Sequence, residues 1–191
     1  VISDLEIEKS LWLDDELCRI VINLKSEYLQ LSKKIEKYSE RFDENCEIIF
    51  GIKPYQVGHG IPKQTREDVN QRIYHSSIKE NEKWFPLITG TDVNRYSLNF
   101  NNDSYIKYGK WLMYPSNESK INNPKILLRR TSSDLRVVFD NENYYPQNSL
   151  FIITSKKHNL YFLICLLNSK FYNYLYKNKL PQTGKIFAEV K

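Results

Sequence analysis

The chain has 191 residues, 41% of them hydrophobic and 27% charged, with a net charge of +5, which predicts one or two folded units rather than a disordered chain. It has no bilayer-spanning apolar run, no signal peptide and no CxxC pair, so we expect a cytoplasmic protein without a disulfide framework or a zinc knuckle. Residues 1–46 carry 7 Lys and Arg against 11 Asp and Glu, whereas residues 47–191 carry 21 against 12, so only the second part is suited to binding nucleic-acid phosphates.

The first predicted element is one long helix from Asp15 to Phe42. Its apolar residues alternate steps of four and three, a 3.5-residue period that predicts a narrow apolar stripe against another surface. The stripe consists of Leu17, Val21, Leu24, Tyr28, Leu31, Ile35, Tyr38 and Phe42. We interpret residues 1–46 as a helical connector, with self-pairing as a coiled coil as the alternative.

After residue 46 the pattern changes to short β-prone runs separated by Gly, Pro, Asn and Asp. Polar loops are expected at Gly58–Asn81 and Asn141–Ser149, and one buried helix, apolar on nearly all sides, at Asn159–Tyr176. The fold class is therefore α+β, in which a long N-terminal connector helix precedes a mostly antiparallel curved sheet packed on a buried C-terminal helix. The predicted strands are Glu47–Ile52, Phe85–Ile88, Tyr105–Tyr108, Lys125–Arg130, Leu135–Phe139, Leu150–Thr154 and Ile186–Val190.

Motifs for catalysis, cofactors and metals are missing. The sequence has neither the glycine-rich turn that holds a methyl donor nor the Asn/Asp-Pro-Pro-aromatic tetrapeptide that grips a flipped adenine. The three histidines are not spaced as a metal pair. Glu189 and Lys191 match the end of a metal-dependent nuclease site, but its Asp partner cannot be identified. We therefore predict no catalytic, cofactor-binding or metal-binding residue, with a PD-(D/E)xK-type nuclease fragment as a minor alternative.

Three polar clusters are the candidate DNA-binding sites. The loop 53–66 combines Gln, which pairs with adenine, and Lys and Arg, which pair with guanine or phosphate. The turn 129–131 carries two adjacent arginines, which point to opposite faces of a strand, so we expect only one of them on the binding surface. The amides at 147–148 either read adenine or cap a strand. The candidates are Lys53, Tyr55, Gln56, His59, Lys63, Gln64, Thr65, Arg66, Arg129, Arg130, Thr131, Gln147 and Asn148.

Five motifs follow one another in the order of a known family. They are Gly51–Thr65, Trp84–Tyr96, Tyr108–Leu112, Pro124–Arg130 and Leu166–Lys170. From Glu47 onward the chain resembles the TaqI-like C-terminal specificity domain, which is the target-recognition domain fused to N6-adenine methyltransferases in type IIG (Eco57I-like) restriction-modification enzymes. Within these motifs, the segments Gly90-Thr91-Asp92 and Leu167-Asn168-Ser169-Lys170 are expected to be structural.

The resemblance implies a bacterial protein in which residues 47–191 read double-stranded DNA and residues 1–46 lead to an N-terminal methyltransferase domain. S-adenosylmethionine, with Mg²⁺ as an option, would bind in the catalytic domains and not in this fragment. One alternative is half of a type I restriction specificity subunit, in which long helices pair as a spacer between two readers. Another is a protein-binding scaffold without a nucleic-acid function.

Overall fold

The computed structural model describes residues 26–179. The start of the predicted long helix, the predicted strand Ile186–Val190, Glu189 and Lys191 lie outside the described residues. The helices are α1 (Ser26–Tyr38), α2 (Phe42–Asn45), α3 (Arg66–Gln71), α4 (Glu118–Ile121), α5 (Leu160–Asn168) and α6 (Lys170–Lys179). The strands are β1 (Glu47–Phe50), β2 (His75–Ser76), β3 (Trp84–Ile88), β4 (Tyr105–Lys107), β5 (Lys125–Arg129), β6 (Val137–Asp140), β7 (Tyr145–Pro146) and β8 (Leu150–Thr154).

The first sheet has the strand order β1-β8-β5-β6 and is antiparallel throughout. Successive side chains of a strand point to opposite faces, and here both faces are apolar. Leu127 and Ile152, which are paired, belong to one core, whereas Ile126 and Ile153, also paired, belong to a second core. The second core also contains Leu163 of α5. The sheet is therefore buried on one face by helices and on the other by the rest of the domain.

The second sheet has the order β2-β4-β3-β7, in which β3 and β7 are parallel and the other pairs antiparallel. Its buried residues Leu87, Ile106 and Tyr145 share one core with Leu127 and Ile152 of the first sheet. The mostly antiparallel α+β fold is thus confirmed, with two sheets in place of one. The predicted polar loops also contain regular structure, since α3 and β2 lie within 58–81 and β7 lies within 141–149.

The predicted packing of a C-terminal helical segment on the sheet is confirmed, but the segment Asn159–Tyr176 is neither a single helix nor buried on nearly all sides. The chain forms α5 and α6, with extended backbone at Ser169, and Tyr161 and Phe162 of α5 are 62% and 57% exposed. Ser169 begins the next helix as a cap, since its Oγ accepts from the Tyr172 N–H at 3.0 Å. The preceding Asn168 is buried and bonds the backbone of Val137, whose N–H donates to Oδ1 at 3.2 Å and whose carbonyl accepts from Nδ2 at 2.9 Å. The expected structural role of this motif is confirmed.

The long-helix prediction also fails at its C-terminal end. Within the described residues α1 ends at Tyr38, whose side chain is 75% exposed, and a separate short helix begins at Phe42. The intervening Glu40 pairs at 2.5 Å with Lys157, which lies in the loop before α5. Tyr28 is buried and meets Tyr174 of α6 edge-on, with 6.2 Å separating the ring centroids. Tyr28 of the α1 stripe thus packs on α6.

A short loop segment links the two sheets at the end of β1. Regular pairing stops at Phe50 rather than at the predicted Ile52, which pairs instead with Gln147. The next residue, Lys53, pairs with Tyr114. None of the helices between residues 26 and 179 combines the length and apolar character that a membrane crossing requires.

Candidate nucleic-acid interface

Gln64 holds the loop 53–66 in shape from inside the protein. Its side chain is 3% exposed, its amide nitrogen donates to the carbonyls of Pro54 at 2.8 Å and Trp111 at 2.7 Å, and its amide oxygen accepts from the Gln56 N–H at 3.0 Å. A buried amide with its donors and acceptor occupied has no group left for a base. The structure therefore places Gln64 among the residues that hold the loop and not among those that are exposed to a ligand.

The loop rests on a distant segment, residues 107–114. Ile61 N–H donates to the Lys110 carbonyl at 3.0 Å, which fixes the loop where it turns. Gly60 lies against the same segment with φ +83°, and a Cβ there would meet the Trp111 carbonyl oxygen at 2.1 Å. Only glycine fits this conformation and this close approach. The shape of the loop therefore depends on residues about 50 positions further along the chain.

Tyr55 belongs to the support of the loop. Its ring stacks on Tyr74 with 5.6 Å between centroids, and its hydroxyl accepts from the Tyr74 N–H at 2.8 Å and contacts His75 Nδ1 at 2.9 Å. Burial raises the pKa of Tyr55 to about 12. Burial, followed by the charge of Arg72, lowers the pKa of His75 to about 4, so this ring is neutral at pH 7. Tyr55 therefore acts mainly in packing.

Thr65 forms the N-cap of α3. Its hydroxyl accepts from the Asp68 N–H at 3.1 Å, and the Asp68 carboxylate accepts in return from the Thr65 N–H at 2.7 Å. This reciprocal capping box explains why a short helix forms in a segment predicted to be a polar loop. The Thr65 hydroxyl is thereby engaged, and the helix it starts presents Arg66 to solvent.

Five of the predicted residues leave polar atoms at the surface of the loop. Lys53 is half-buried, and its Nζ donates to Gln56 Oε1 at 3.0 Å. Gln56 Nε2 in turn lies 3.5 Å from His59 Nε2. Gln56, His59, Lys63 and Arg66 are exposed. These side chains are presented on a folded loop, which is an arrangement suited to contact with base edges.

The two arginines of the turn 129–131 diverge, as the strand alternation predicts. Arg129 Nε donates to the Thr131 carbonyl at 2.9 Å, and its stem lies beside Gly90. The Arg130 guanidinium lies 5.2 Å from the centroid of the Phe50 ring and donates to the Asn148 carbonyl at 3.5 Å. Arg130 is therefore next to the end of β1, from which the loop 53–66 continues.

Gln147 and Asn148 form the link from this arginine to the loop. The Asn148 N–H donates to the Ile52 carbonyl at 2.8 Å, directly before Lys53. The Gln147 N–H donates to the Ile88 carbonyl at 2.8 Å. The structure thus joins three clusters that are far apart in sequence into one connected series of contacts from Arg130 through Asn148 to the loop.

Three surface residues were missed by the sequence reasoning. Lys110 is exposed, and its carbonyl holds Ile61 of the loop. Val57 and Ile61 are 50% and 63% exposed within an otherwise polar segment. Lys110 stands in the Tyr108–Leu112 motif, but its contact with the loop is tertiary. The apolar pair was detectable as an exception within a polar loop.

No three His, Cys, Asp or Glu side chains lie close enough to hold a metal ion within residues 26–179. The nuclease alternative rests on Glu189 and Lys191, which fall beyond that range. The Asp92 carboxylate has a structural role, since its Oδ2 accepts a hydrogen bond from the Thr89 N–H at 2.7 Å. The Gly90 N–H donates to Ser149 Oγ at 2.9 Å, so the expected structural role of Gly90-Thr91-Asp92 is confirmed.

Comparison with known families matches residues 85–191 to the TaqI-like C-terminal specificity domain. No curated protein matches the chain. The matched range includes the turn 129–131 and the amides at 147–148, whereas the loop 53–66 precedes it. Because the match covers more than half of the 191 residues, the chain belongs to the family of TaqI-like C-terminal specificity domains, which recognise the DNA target in restriction-modification proteins.

Proposed function

We propose that the chain reads double-stranded DNA sequence for a DNA adenine-N6 methyltransferase, with or without endonuclease activity, and performs no chemistry itself. The family match over residues 85–191 carries this proposal. Methyl transfer would take place in another domain of the same polypeptide, where S-adenosylmethionine, and Mg²⁺ if DNA is cleaved, would bind. The target adenine would be flipped into that domain, since a base inside a duplex is not accessible to chemistry.

The proposed DNA-facing residues form one series of contacts. Gln56 has the amide that pairs bidentately with adenine, and Lys63 and Arg66 supply charges for phosphate or guanine. Arg130 and Asn148 extend the series at the loop root. Thr131 and Gln147 remain proposed contacts of the adjoining turn, together with Lys53 and His59 of the loop. Arg129 is the alternative to Arg130, because only one of the two arginines is expected on the binding surface. Tyr55, Gln64 and Thr65 are assigned to positioning the loop.

Residues 1–46 are proposed to connect this reader to the catalytic part. The support is the placement of α1, whose buried Tyr28 packs against Tyr174 of α6 while Tyr38 is exposed. This contact holds the described part of the proposed connector against the C-terminal helix of the reader. The second unit, residues 47–191, then contains all of the proposed DNA contacts.

Sequence preference of the full-length protein tests the reading role of the loop. We expect Gln56→Ala to relax selection at one base pair by about 10-fold, because a bidentate contact contributes about 1–3 kcal/mol of discrimination. The measurement is enrichment from a random duplex library followed by electrophoretic binding. Gln30→Ala is the matched control, since Gln30 is an exposed glutamine on α1. An unchanged preference in Gln56→Ala would remove Gln56 from the reading role.

A further inference from the structure

Two apolar side chains are displayed on the loop 53–66. Ile61 is 63% exposed and Val57 is 50% exposed, in the midst of the exposed polar residues Gln56, His59 and Lys63. A single exposed apolar residue is ordinary at a protein surface, so exposure alone carries no meaning. What distinguishes this pair is its place on a preformed loop whose other exposed side chains suit base edges and phosphates.

The backbone that carries both side chains is fixed before any ligand binds. Ile61 N–H donates to the Lys110 carbonyl at 3.0 Å, and Gly58 N–H donates to the Gln64 carbonyl at 2.9 Å. Within the loop, Gln64 N–H donates to the His59 carbonyl at 2.8 Å. Binding therefore does not have to order this segment, which removes a cost that flexible loops incur. The apolar side chains are held out from a defined position.

Duplex DNA offers apolar side chains two kinds of partner. One is the C5 methyl group of thymine in the major groove, and the other is the face of a base after unstacking. The neighbours of the pair favour the first, because Gln56 and His59 carry hydrogen-bonding groups suited to major-groove edges. Valine and isoleucine are also stiff at χ1 and compact, which suits contact with a single methyl group.

We infer that Val57 and Ile61 contact thymine C5 methyl groups in the major groove and thereby select thymine in the recognised sequence. This inference rests on the proposed function, because it requires the loop to face DNA. It adds specificity residues of a different chemistry from the hydrogen-bonding and charged candidates. The loop then recognises the hydrogen-bonding groups of the base edges through Gln56 and the thymine methyl groups through Val57 and Ile61.

Replacement of thymine by deoxyuridine isolates the methyl group, because the hydrogen-bonding edges stay the same. A duplex enriched from a random library by the full-length protein is remade with each thymine replaced in turn. We expect about threefold to fourfold weaker binding at one or two of these positions, since one buried methyl contributes about 0.8 kcal/mol. This measurement uses the unaltered protein, so it does not depend on the folding of a variant.

Variants then assign the methyl contact to side chains. Ile61→Ala and Val57→Ala should each weaken binding to the thymine duplex and lose the preference for thymine over uracil at one position. Ile78→Ala is the matched control, because Ile78 is 66% exposed and lies outside the loop. The Ile78→Ala variant should show the same loss of affinity as the wild-type protein when thymine is replaced by uracil. Thermal unfolding of each variant separates loss of contact from loss of fold.

The outcomes distinguish this inference from the proposed function. Enriched sites that lack thymine, or uracil duplexes bound as tightly as thymine duplexes, overturn the thymine assignment and leave sequence reading intact. Equal weakening on thymine and uracil duplexes by Ile61→Ala also overturns it, because the side chain would then contact base faces. Failure to enrich any sequence from the library overturns the proposed function itself.

Discussion

At the scale of single residues, burial separates the polar side chains of the loop into two classes. Gln64 and Tyr55 have their polar atoms turned toward the fold, where each meets backbone groups of other segments. Gln56 and Lys63 are open to solvent. Two glutamines eight residues apart thus have different roles, one holding the loop and the other available to a ligand.

Gln64→Ala is expected to lower the free energy of unfolding by about 2–4 kcal/mol, because backbone groups around the buried amide lose their partners. Gln56→Ala should change it by less than about 0.5 kcal/mol, as is usual for an exposed side chain. Chemical denaturation of the two variants and the wild-type protein measures both values. A fully stable Gln64→Ala variant with altered sequence preference would return Gln64 to the DNA-reading class.

The identities of the exposed candidates were predictable from the sequence, because Gln, Lys and Arg in a loop rich in Gly and Pro are a local signal. The role of Gln64 was not, since its partner Trp111 is 47 positions away. The same applies to Asn148, whose partner is the Ile52 carbonyl. Residue type therefore predicts the chemistry of a site, whereas burial, which depends on tertiary contacts, determines which members are available.

At the scale of elements, a buried ion pair ties α4 to the hairpin β5–β6. Lys125 and Asp140 are opposite each other in the strand register, and Nζ lies 2.6 Å from Oδ2, with both side chains essentially inaccessible. Lys125 Nζ also donates to the Ile121 carbonyl at the end of α4. Desolvation lowers the pKa of Lys125, and the charge of Asp140 opposes that shift.

Asp140→Ala should reduce the free energy of unfolding by about 3–5 kcal/mol, because it leaves a buried ammonium without its counter-ion. A double variant, Lys125→Met with Asp140→Leu, should recover much of the loss, since neither charge is then buried. Glu40→Ala, which removes the exposed partner of Lys157, should have a much smaller effect. Comparable losses for the buried and the exposed pair in denaturant unfolding would contradict this account.

Strand positions were the most predictable elements, because residues 150–154 and 125–129 combine β-branched and leucine residues between turn residues. The break of the C-terminal helical segment was not predictable from periodicity. Its apolar run continues through Leu167, and the interruption comes at Ser169, which caps α6 directly after Asn168 has bonded Val137 of β6. Likewise, β7 has two residues and is defined by its parallel partner β3, a pairing without a local signal.

At the scale of the whole molecule, charge and topology act together. The 21 Lys and Arg against 12 Asp and Glu in residues 47–191 give the reader an excess of positive charge, whereas residues 1–46 are acidic. The two sheets share a core, and their connection at 147–149 lies beside the start of the loop 53–66. The fold therefore brings the connection 147–149 and the start of the loop 53–66 together where the two sheets meet.

Affinity for duplex DNA should fall steeply as salt concentration rises, because each phosphate contact releases a counterion. Lys63→Ala should reduce the slope of log K against log salt by about 0.9, the contribution of one neutralised phosphate. Lys33→Ala is the control, since Lys33 is an exposed lysine on α1. Titrations at several salt concentrations give the slopes. Equal slopes for Lys63→Ala and the wild-type protein would place Lys63 away from the DNA backbone.

The contacts between the loop 53–66 and residues 107–114 affect how the protein could acquire a new DNA target sequence. Ile61 and Gln64 donate hydrogen bonds to the carbonyls of Lys110 and Trp111, so the conformation of the loop depends on this second segment. If residues 53–66 alone were replaced by the loop of a homologous domain, the new loop would lack matching contacts with residues 107–114. We therefore expect an exchange of sequence specificity between homologous domains, in the laboratory or by recombination, to succeed when residues 53–66 and 107–114 are exchanged together.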